Sequence, residues 1–187
     1  MNEYEGQNRT ESDRPAEGPE LTLTDIQLAR QQCELQQASS PEQIQGMVDA
    51  LGAAKQVAFS QEQLDAGVVR GLVRRLGGMV EPDQAADWRQ IPATFASGDM
   101  GEHPEQIERA MAAWADAFAD GRLDSTELYY HFEKIHPFAD GNGRAGHCLW
   151  ALAEKRQTGD WPQTLPPDVF APGFEMRQKS AFGDIED

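Results

Sequence analysis

This 187-residue sequence has little of what a membrane or nucleic-acid-binding protein needs. No stretch approaches the roughly 20 apolar residues of a membrane span, and the polar start of the chain lacks the apolar core of a signal peptide. Basic side chains are in deficit, since 16 lysines and arginines face 32 aspartates and glutamates, for a net charge of -16. This charge repels phosphate backbones and anionic lipids. We therefore expect a cytoplasmic protein with no nucleic acid and no membrane among its partners.

Cysteine is also scarce, with only Cys33 and Cys148 in the chain. Both fall on the apolar faces of predicted helices, where buried thiols are more common than a disulfide. We therefore expect two reduced, buried cysteines.

The length is suited to one well-buried domain and is too short for two of typical size. Residues 1–20 are acidic, interrupted by proline and glycine, and almost free of aliphatic side chains. Such a segment cannot offset the entropy lost on ordering, so we expect a disordered N-terminal tail. Residues 21–187 are expected to form a single domain.

Most of this domain has the hydrophobic periodicity of helices. Residues 21–39 show it weakly. Ser40, Pro41 and Gln43 then form a capping pattern at the start of a second helix. The apolar residues of this second helix recur on one face, at Ile44, Met47, Val48 and Leu51.

Two more helices are expected in the central part of the chain. Residues 60–63 repeat the capping pattern, and the helix that they start should end at Gly77 and Gly78. Pro104 should open another helix, which ends at Gly121. The sequence therefore favours a mostly α-helical fold.

The segment 88–101 differs from the helices around it. Ile91, Ala93 and Phe95 alternate with other residues over a short run that leads into turn residues at 96–99. This pattern predicts a strand that enters a turn, hence a β-hairpin or an exposed sheet edge. A free edge can bind an extended peptide through main-chain hydrogen bonds, although an ordinary surface hairpin is the alternative.

The stretch around residues 136–144 combines a helix end, a glycine-rich loop and a helix start. Ser125 can cap the first helix, and Pro137 biases His136 away from helical geometry, so that helix should end there. Its apolar face carries Leu128, Phe132 and Ile135. A second apolar stripe follows the loop at Ala145, Cys148, Leu149 and Leu152. The glycine-rich loop therefore precedes a helix N-terminus.

The residue types in this loop are typical of phosphate chemistry. A helix N-terminus offers unpaired amides, and Gly141 and Gly143 let a ligand approach them. Arg144 carries a planar charged fork that suits phosphate oxygens. Asp140 offers a hard oxygen ligand for Mg²⁺, and His136 offers a base that titrates near neutral pH.

The nine residues 136–144, His-Pro-Phe-Ala-Asp-Gly-Asn-Gly-Arg, closely resemble the signature of the Fic family, also called Fido or Fic/Doc. The resemblance implies a Fic-type helical bundle with a small β-hairpin, the flap, beside the active site. It implies transfer of AMP from Mg-ATP to a Ser, Thr or Tyr hydroxyl of a target protein docked at the 88–101 hairpin. The implied roles are His136 as general base, Phe138 as core anchor, Asp140 as Mg²⁺ ligand, Gly141, Asn142 and Gly143 as anion hole, and Arg144 as phosphate ligand.

One position departs from the family pattern. A second arginine usually follows the first by three residues, and here that residue is His147. His147 either contacts the nucleotide, from the same helix face as Arg144, or is a bystander. Its presence leaves open a phosphotransferase, or an enzyme that uses another nucleotide or a diphosphate-linked donor. A non-catalytic interaction module is the third possibility.

Two further interpretations concern regulation and surface charge. Some family members carry an inhibitory helix with a Ser or Thr followed four residues later by Glu, and no Ser or Thr here has Glu at that spacing. A separate inhibitor protein remains possible. Glu133 and Lys134 are interpreted as solvated surface charges.

Overall fold

The computed structural model describes residues 19–82, 87–95, 98–171 and Phe174. Six α-helices lie within these residues, and this confirms the mostly helical fold predicted from the sequence. They are α1 (Leu23–Leu35), α2 (Pro41–Phe59), α3 (Ala66–Val80), α4 (Ile107–Ala119), α5 (Ser125–Ile135) and α6 (Asn142–Thr158). Nearly all of the predicted disordered tail, 1–20, lies outside the described residues. No helix among those described is long and apolar enough to cross a membrane.

Helix α6 lies at the centre of the bundle. It packs against α2, α5, α3 and α1, and every residue from Asn142 to Ala153 is buried. Because it is enclosed on several sides, the loop that leads into it is held by α3 and α5 as well as by its own sequence. Cys33 and Cys148 are free thiols in this core, as predicted.

The N-terminal caps confirm one prediction and correct two. Ser40 and Gln43 form the predicted capping box of α2. The cap of α3 is Asp65, whose carboxylate accepts from the Val68 amide at 2.9 Å, and Ser60 instead ends α2. Likewise Asp124 caps α5 in a capping box, while Ser125 is already helical. In both cases an aspartate lies three residues before a free amide of the first helical turn, and its carboxylate accepts the hydrogen bond from that amide in place of the serine.

Gly77 and Gly78 do not end α3, which continues to Val80. Gly77 lets the signature residue Phe138 pack directly on α3. A Cβ atom at residue 77 would lie 2.4 Å from the Phe138 ring. The glycine therefore permits a close contact between α3 and the loop before α6, and it is not a helix stop.

A buried ion pair fixes α1 on the bundle. Lys55 Nζ of α2 lies 2.7 Å from Asp25 Oδ2 of α1, and Trp161 Nε1 donates to Asp25 Oδ1 at 2.8 Å. Burial alone would raise the pKa of Asp25, but the hydrogen bonds from Lys55, Thr22 and Trp161 together lower it. Asp25 therefore joins α1, α2 and the segment after α6.

The predicted β-hairpin at 88–101 is not formed as two paired strands in the described residues. Thr94 and Met100 make one isolated antiparallel bridge, supported by hydrogen bonds from Gly101 N to Ala93 O and from Phe95 N to Asp99 O. The next ladder bond would join His103 N to Ile91 O. Instead, the Arg89 side chain binds the Ile91 carbonyl at 2.6 Å, and His103 N donates to the Glu102 carboxylate at 3.0 Å.

Replacing Gly77 by alanine should separate close packing from helix propensity. We expect Gly77→Ala to destabilise the fold by about 1–3 kcal/mol, because the new methyl group overlaps the Phe138 ring. Gly71→Ala on the same helix, where nothing lies within 4 Å, is the control. It should stabilise the protein by about 0.5–1 kcal/mol through helix propensity. Urea unfolding of the three proteins measures both values, and equal effects would contradict the packing role of Gly77.

Candidate active site

His136 lies where α5 ends. Its backbone is left-handed, with φ 51° and ψ 61°, and its amide donates to Phe132 O at 2.9 Å. Pro137 prevents the helix from continuing. A left-handed conformation costs a non-glycine residue about 1 kcal/mol or more. The surroundings of His136 must therefore hold it there.

The imidazole of His136 is half-buried and neutral at physiological pH. Burial lowers its pKa and the nearby Arg89 cation lowers it further, while the Glu133 carbonyl and Asp140 partly offset the decrease. The edge of the ring packs against Phe95 of the 88–101 segment, with centroids 5.1 Å apart. A neutral imidazole can accept a proton, as a general base must.

Asn142 organises the loop after His136. Its side chain accepts from Phe138 N and donates to Phe138 O, both at 2.8 Å. The Phe138 ring is buried against Trp88 and Phe132, as a core anchor would be. The amide of Asn142 is thus used inside the loop, where it fixes the path of residues 138–142.

Asp140 is the outward-facing member of the loop. Its side chain is 58% exposed, although Oδ1 accepts from Gly141 N at 2.6 Å and lies 3.4 Å from Arg144 Nη2. Gly141 has φ 79°, which favours glycine, and a Cβ there would lie 2.9 Å from Val80. The loop therefore presents a carboxylate to solvent at the start of α6.

Gly143 is covered by the end of α1. A Cβ at residue 143 would lie 1.8 Å from Gln36 Nε2, and Gln32 Nε2 donates to Gly143 O at 3.3 Å. The glycine thus lets α1 and α6 approach closely. Sequence reasoning did not find Gln32 or Gln36, because nothing in the weak pattern of 21–39 indicates where that helix packs.

The guanidinium of Arg144 is paired inside the protein. Its side chain is 1% exposed, and it donates to Val80 O at 2.6 Å and to Glu81 Oε2 at 2.8 Å. Glu81 also accepts from Gln43 Nε2 at 3.1 Å. This arrangement joins α6, the end of α3 and α2. The phosphate contact of Arg144 that the sequence predicts therefore stays a prediction.

His147 is placed in the interior. It is 2% exposed, its Nδ1 is buried without a hydrogen-bond partner, and its ring lies 6.3 Å from that of Trp150. Burial lowers the pKa of His147 to about 4, so the side chain is neutral at pH 7. Of the two roles left open by the sequence, this burial favours the bystander.

The interpretation of Glu133 as a surface charge is wrong. Glu133 is 5% exposed, its Oε1 has no hydrogen-bond partner, and it packs against Gly146 of α6. Burial raises its pKa to about 8, so the carboxyl is largely protonated at pH 7. Because α5 is covered by α6 on this side, the helical face of Tyr129 and Glu133 is an interior one. Lys134 is only half-buried and lies over the Phe95 and Tyr130 rings.

Trp88 and Arg89 also belong to the site, and sequence reasoning did not single them out. The Trp88 ring packs on Phe138 with centroids 5.5 Å apart, and the Arg74 guanidinium lies over the Trp88 ring, 4.4 Å from its centroid. Arg89 donates from Nε to His136 O at 2.7 Å. No short motif marks this pair, which is recognisable only from its contacts.

The protonation of Glu133 gives a pH-dependent prediction. The buried Glu133 carboxyl stabilises the fold fully only below its unfolded pKa near 4.5, where it is protonated in both the folded and the unfolded protein. This contribution to the free energy of unfolding is lost as the pH rises to about 8. We therefore expect Glu133→Gln to become progressively more stable than the wild type over that interval, by up to about 1.4 kcal/mol per pH unit. Urea unfolding at several pH values measures this difference, in which the contribution of His147 cancels.

The exposed Glu105 is the matched control for this measurement. The side chain of Glu105 is 88% exposed, and the difference between Glu133→Gln and the wild type should change with pH far more than that between Glu105→Gln and the wild type. A difference for Glu133→Gln that is equally flat would contradict the buried, protonated state.

Comparisons with known proteins concern the family and the fold of this chain. The sequence model of the Fic/DOC family matches residues 63–153. A Fic domain containing signaling protein from Bacteroides thetaiotaomicron VPI-5482 has a similar fold, with a TM-score of 0.54 and 23% identity over 63% of this chain and 48% of that one.

Two other solved structures are similar to this chain. A Fic family protein from Desulfovibrio desulfuricans G20 gives a TM-score of 0.45 and 18% identity, over 78% of this chain and 61% of that chain. Fic-1 from C. elegans gives a TM-score of 0.49 and 22% identity, over 73% of this chain and 43% of that chain. This chain spans less than two thirds of each of the three structures. The segment 63–153 holds α3 to α5, the loop with His136 and Asp140, and most of α6, and its match to the Fic/DOC model supports membership of that family.

Proposed function

We propose that this protein transfers AMP from Mg-ATP to a Ser, Thr or Tyr hydroxyl of a target protein. The observation that carries the proposal is a neutral, half-buried His136, held at the end of α5, four residues before the exposed carboxylate of Asp140. Membership of the Fic/DOC family supports a transferase of this kind. We also propose that residues 21–187 form one domain around the site, since α1 and α2 pack on α6.

His136 acts as the general base in this proposal. Its imidazole takes the proton of the target hydroxyl while that oxygen bonds to the α-phosphorus of ATP. The bond from the α-phosphorus to the bridging oxygen breaks, and pyrophosphate leaves with that electron pair. General-base help of this kind contributes typically about 10²- to 10⁴-fold.

Asp140 fits the role of the Mg²⁺ ligand. Its carboxylate faces solvent at the start of α6, and Mg²⁺ on a nucleotide commonly takes only one or two protein carboxylates. The described residues hold no cluster of three or more His, Cys, Asp or Glu suited to a metal. This agrees with an ion held mostly by phosphate and water. When bound, Mg²⁺ would neutralise charge on the phosphates.

The start of α6 would receive the phosphates. Gly141 caps the helix without a side-chain hydrogen bond, so the first-turn amides have no side-chain acceptor there. The buried guanidinium of Arg144 supplies positive charge in the first turn of α6, but Glu81 partly neutralises this charge. Gly141, Asn142 and Gly143 keep the main chain in the required path.

A second candidate function follows from His147. Because this side chain is buried and neutral, it cannot supply the charge of a second arginine to the distal phosphates. The donor could then bind in another orientation. The same base would in that case transfer the γ-phosphate, or a group from another nucleotide or diphosphate-linked donor.

We propose that the 88–101 segment docks the target. Phe95 contacts His136 directly, and the loop returns past Met100 to Gly101 beside the same histidine. A target chain lying along this loop would place its hydroxyl near the imidazole. A separate inhibitor protein and the cytoplasmic location remain predictions from the sequence.

ATP labelled at the α- or the γ-phosphate tests the transferred group. Wild-type protein with Mg²⁺ and a cell lysate should pass only the α-label to protein, and His136→Ala should lower the rate by at least about 10²-fold. His103→Ala, which removes an exposed histidine outside the site, should keep the wild-type rate.

Transfer of the γ-label alone would identify a phosphotransferase. No transfer of either label would favour another donor or a non-catalytic interaction module. Wild-type rates in His136→Ala would contradict the base assignment.

Asp140→Asn should weaken Mg²⁺-dependent binding of ATP by about tenfold, the effect of about 1.4 kcal/mol. Calorimetric titration with ATP, in the presence of Mg²⁺ or of a chelator, measures it. Asp160→Asn, at an exposed position past the end of α6, is the matched control. Equal Mg²⁺ dependence in wild type and Asp140→Asn would show that the metal is held elsewhere.

A further inference from the structure

Arg89 is a buried cation whose side-chain hydrogen bonds all go to backbone carbonyls. Only 3% of the residue is exposed. Its Nε donates to His136 O at 2.7 Å, its Nη1 donates to Ile91 O at 2.6 Å, and its Nη2 donates to Ile135 O at 3.3 Å and to Glu102 O. Its own amide donates to Pro137 O at 2.9 Å.

These carbonyls come from two separate parts of the site. Ile135 and His136 end α5, where the last carbonyls of a helix lack helical partners. Ile91 and Glu102 are the two ends of the loop 91–102, which contains the bridge between Thr94 and Met100. One guanidinium therefore closes the base of the loop and fastens it to the end of α5.

The chemistry of this contact requires arginine. A buried cation is costly unless its donors are satisfied, and burial lowers the pKa of Arg89. Its planar fork directs hydrogen bonds to four carbonyls at fixed angles. Lysine has a single nitrogen with three donors, and could not reach all four.

We propose that Arg89 is a positioning residue, which sets the place of His136 relative to the loop 91–102. The inference rests on the proposed function, in which His136 is the base and the loop holds the target. The left-handed backbone of His136 is held by bonds to the carbonyls of Ile135 and His136, where a cation also suits the helix C-terminus.

Gly101 supports this inference independently. A Cβ at residue 101 would lie 3.0 Å from Arg89 Nη2 and 3.3 Å from His136 Cβ. The loop, the cation and the base are thus packed in contact at this residue. A displacement of about 1 Å between reacting groups can lower a rate by about 10²-fold.

The test compares Arg89→Lys with Arg122→Lys, the same change at an exposed arginine between α4 and α5. We expect Arg89→Lys to lower kcat by about 10- to 100-fold, with the affinity for Mg-ATP changed by less than about threefold. A role in global stability alone would not separate kcat from nucleotide affinity in this way.

Amide hydrogen exchange gives a second readout that needs no activity. In Arg89→Lys, the amides of Gly98, Gly101 and His136 should exchange faster together, while those of α2 keep wild-type protection. Arg122→Lys should match the wild type throughout. If Arg89→Lys leaves the loop and His136 as protected as in the wild type, or loosens the whole bundle equally, the proposal is overturned.

A second variant covers the case in which Arg89→Lys does not fold. Gly101→Ala presses a methyl group between Arg89 and His136 while it keeps the cation, with Gly71→Ala as its control. Gly101→Ala should also raise the exchange rates of the loop amides and of the His136 amide together. Wild-type protection of these amides in Gly101→Ala would overturn the proposal. If the wild type transfers no group from any donor, the proposed function fails, but the exchange data still decide on Arg89.

Discussion

The buried ion pair between Arg144 and Glu81 is the interaction on which the site depends. It joins the first turn of α6 to the end of α3, and a hydrogen bond from Gln43 adds α2. The Val80 carbonyl and the Asp140 carboxylate also accept hydrogen bonds from the guanidinium. Removing one member of a buried pair commonly costs about 3–5 kcal/mol, because the other is left unpaired. The loop that carries Asp140 is therefore tied to the core through Arg144.

The same pair also sets the electrostatics of the candidate site. With Glu81 beside Arg144 and with His147 neutral, the start of α6 has less positive charge than its sequence suggests. In the proposed function, and in a chain of net charge -16, the helix amides and a bound cation would therefore be more important for holding phosphate. A donor with fewer phosphates to neutralise would be less affected by the missing arginine.

Polar groups are fastened to the main chain throughout the site. Asn142 binds both backbone groups of Phe138, Arg89 binds the carbonyls of Ile135 and His136, and Gln32 binds the carbonyl of Gly143. These bonds replace the regular ladders that a loop lacks. They explain how a loop with a left-handed histidine keeps one shape.

The sequence by itself determined the helices and the residues of the signature. Local rules suffice for these, since Ser40 caps, Pro137 stops a helix, and the spacing of apolar side chains defines faces. The tertiary structure alone decided that Gly77 is a contact and not a stop, that Glu133 and His147 are buried, and that Arg144 and Arg89 pair within the protein. Burial and long-range partners decide those roles, and both come from elements distant in the chain. No local pattern records them.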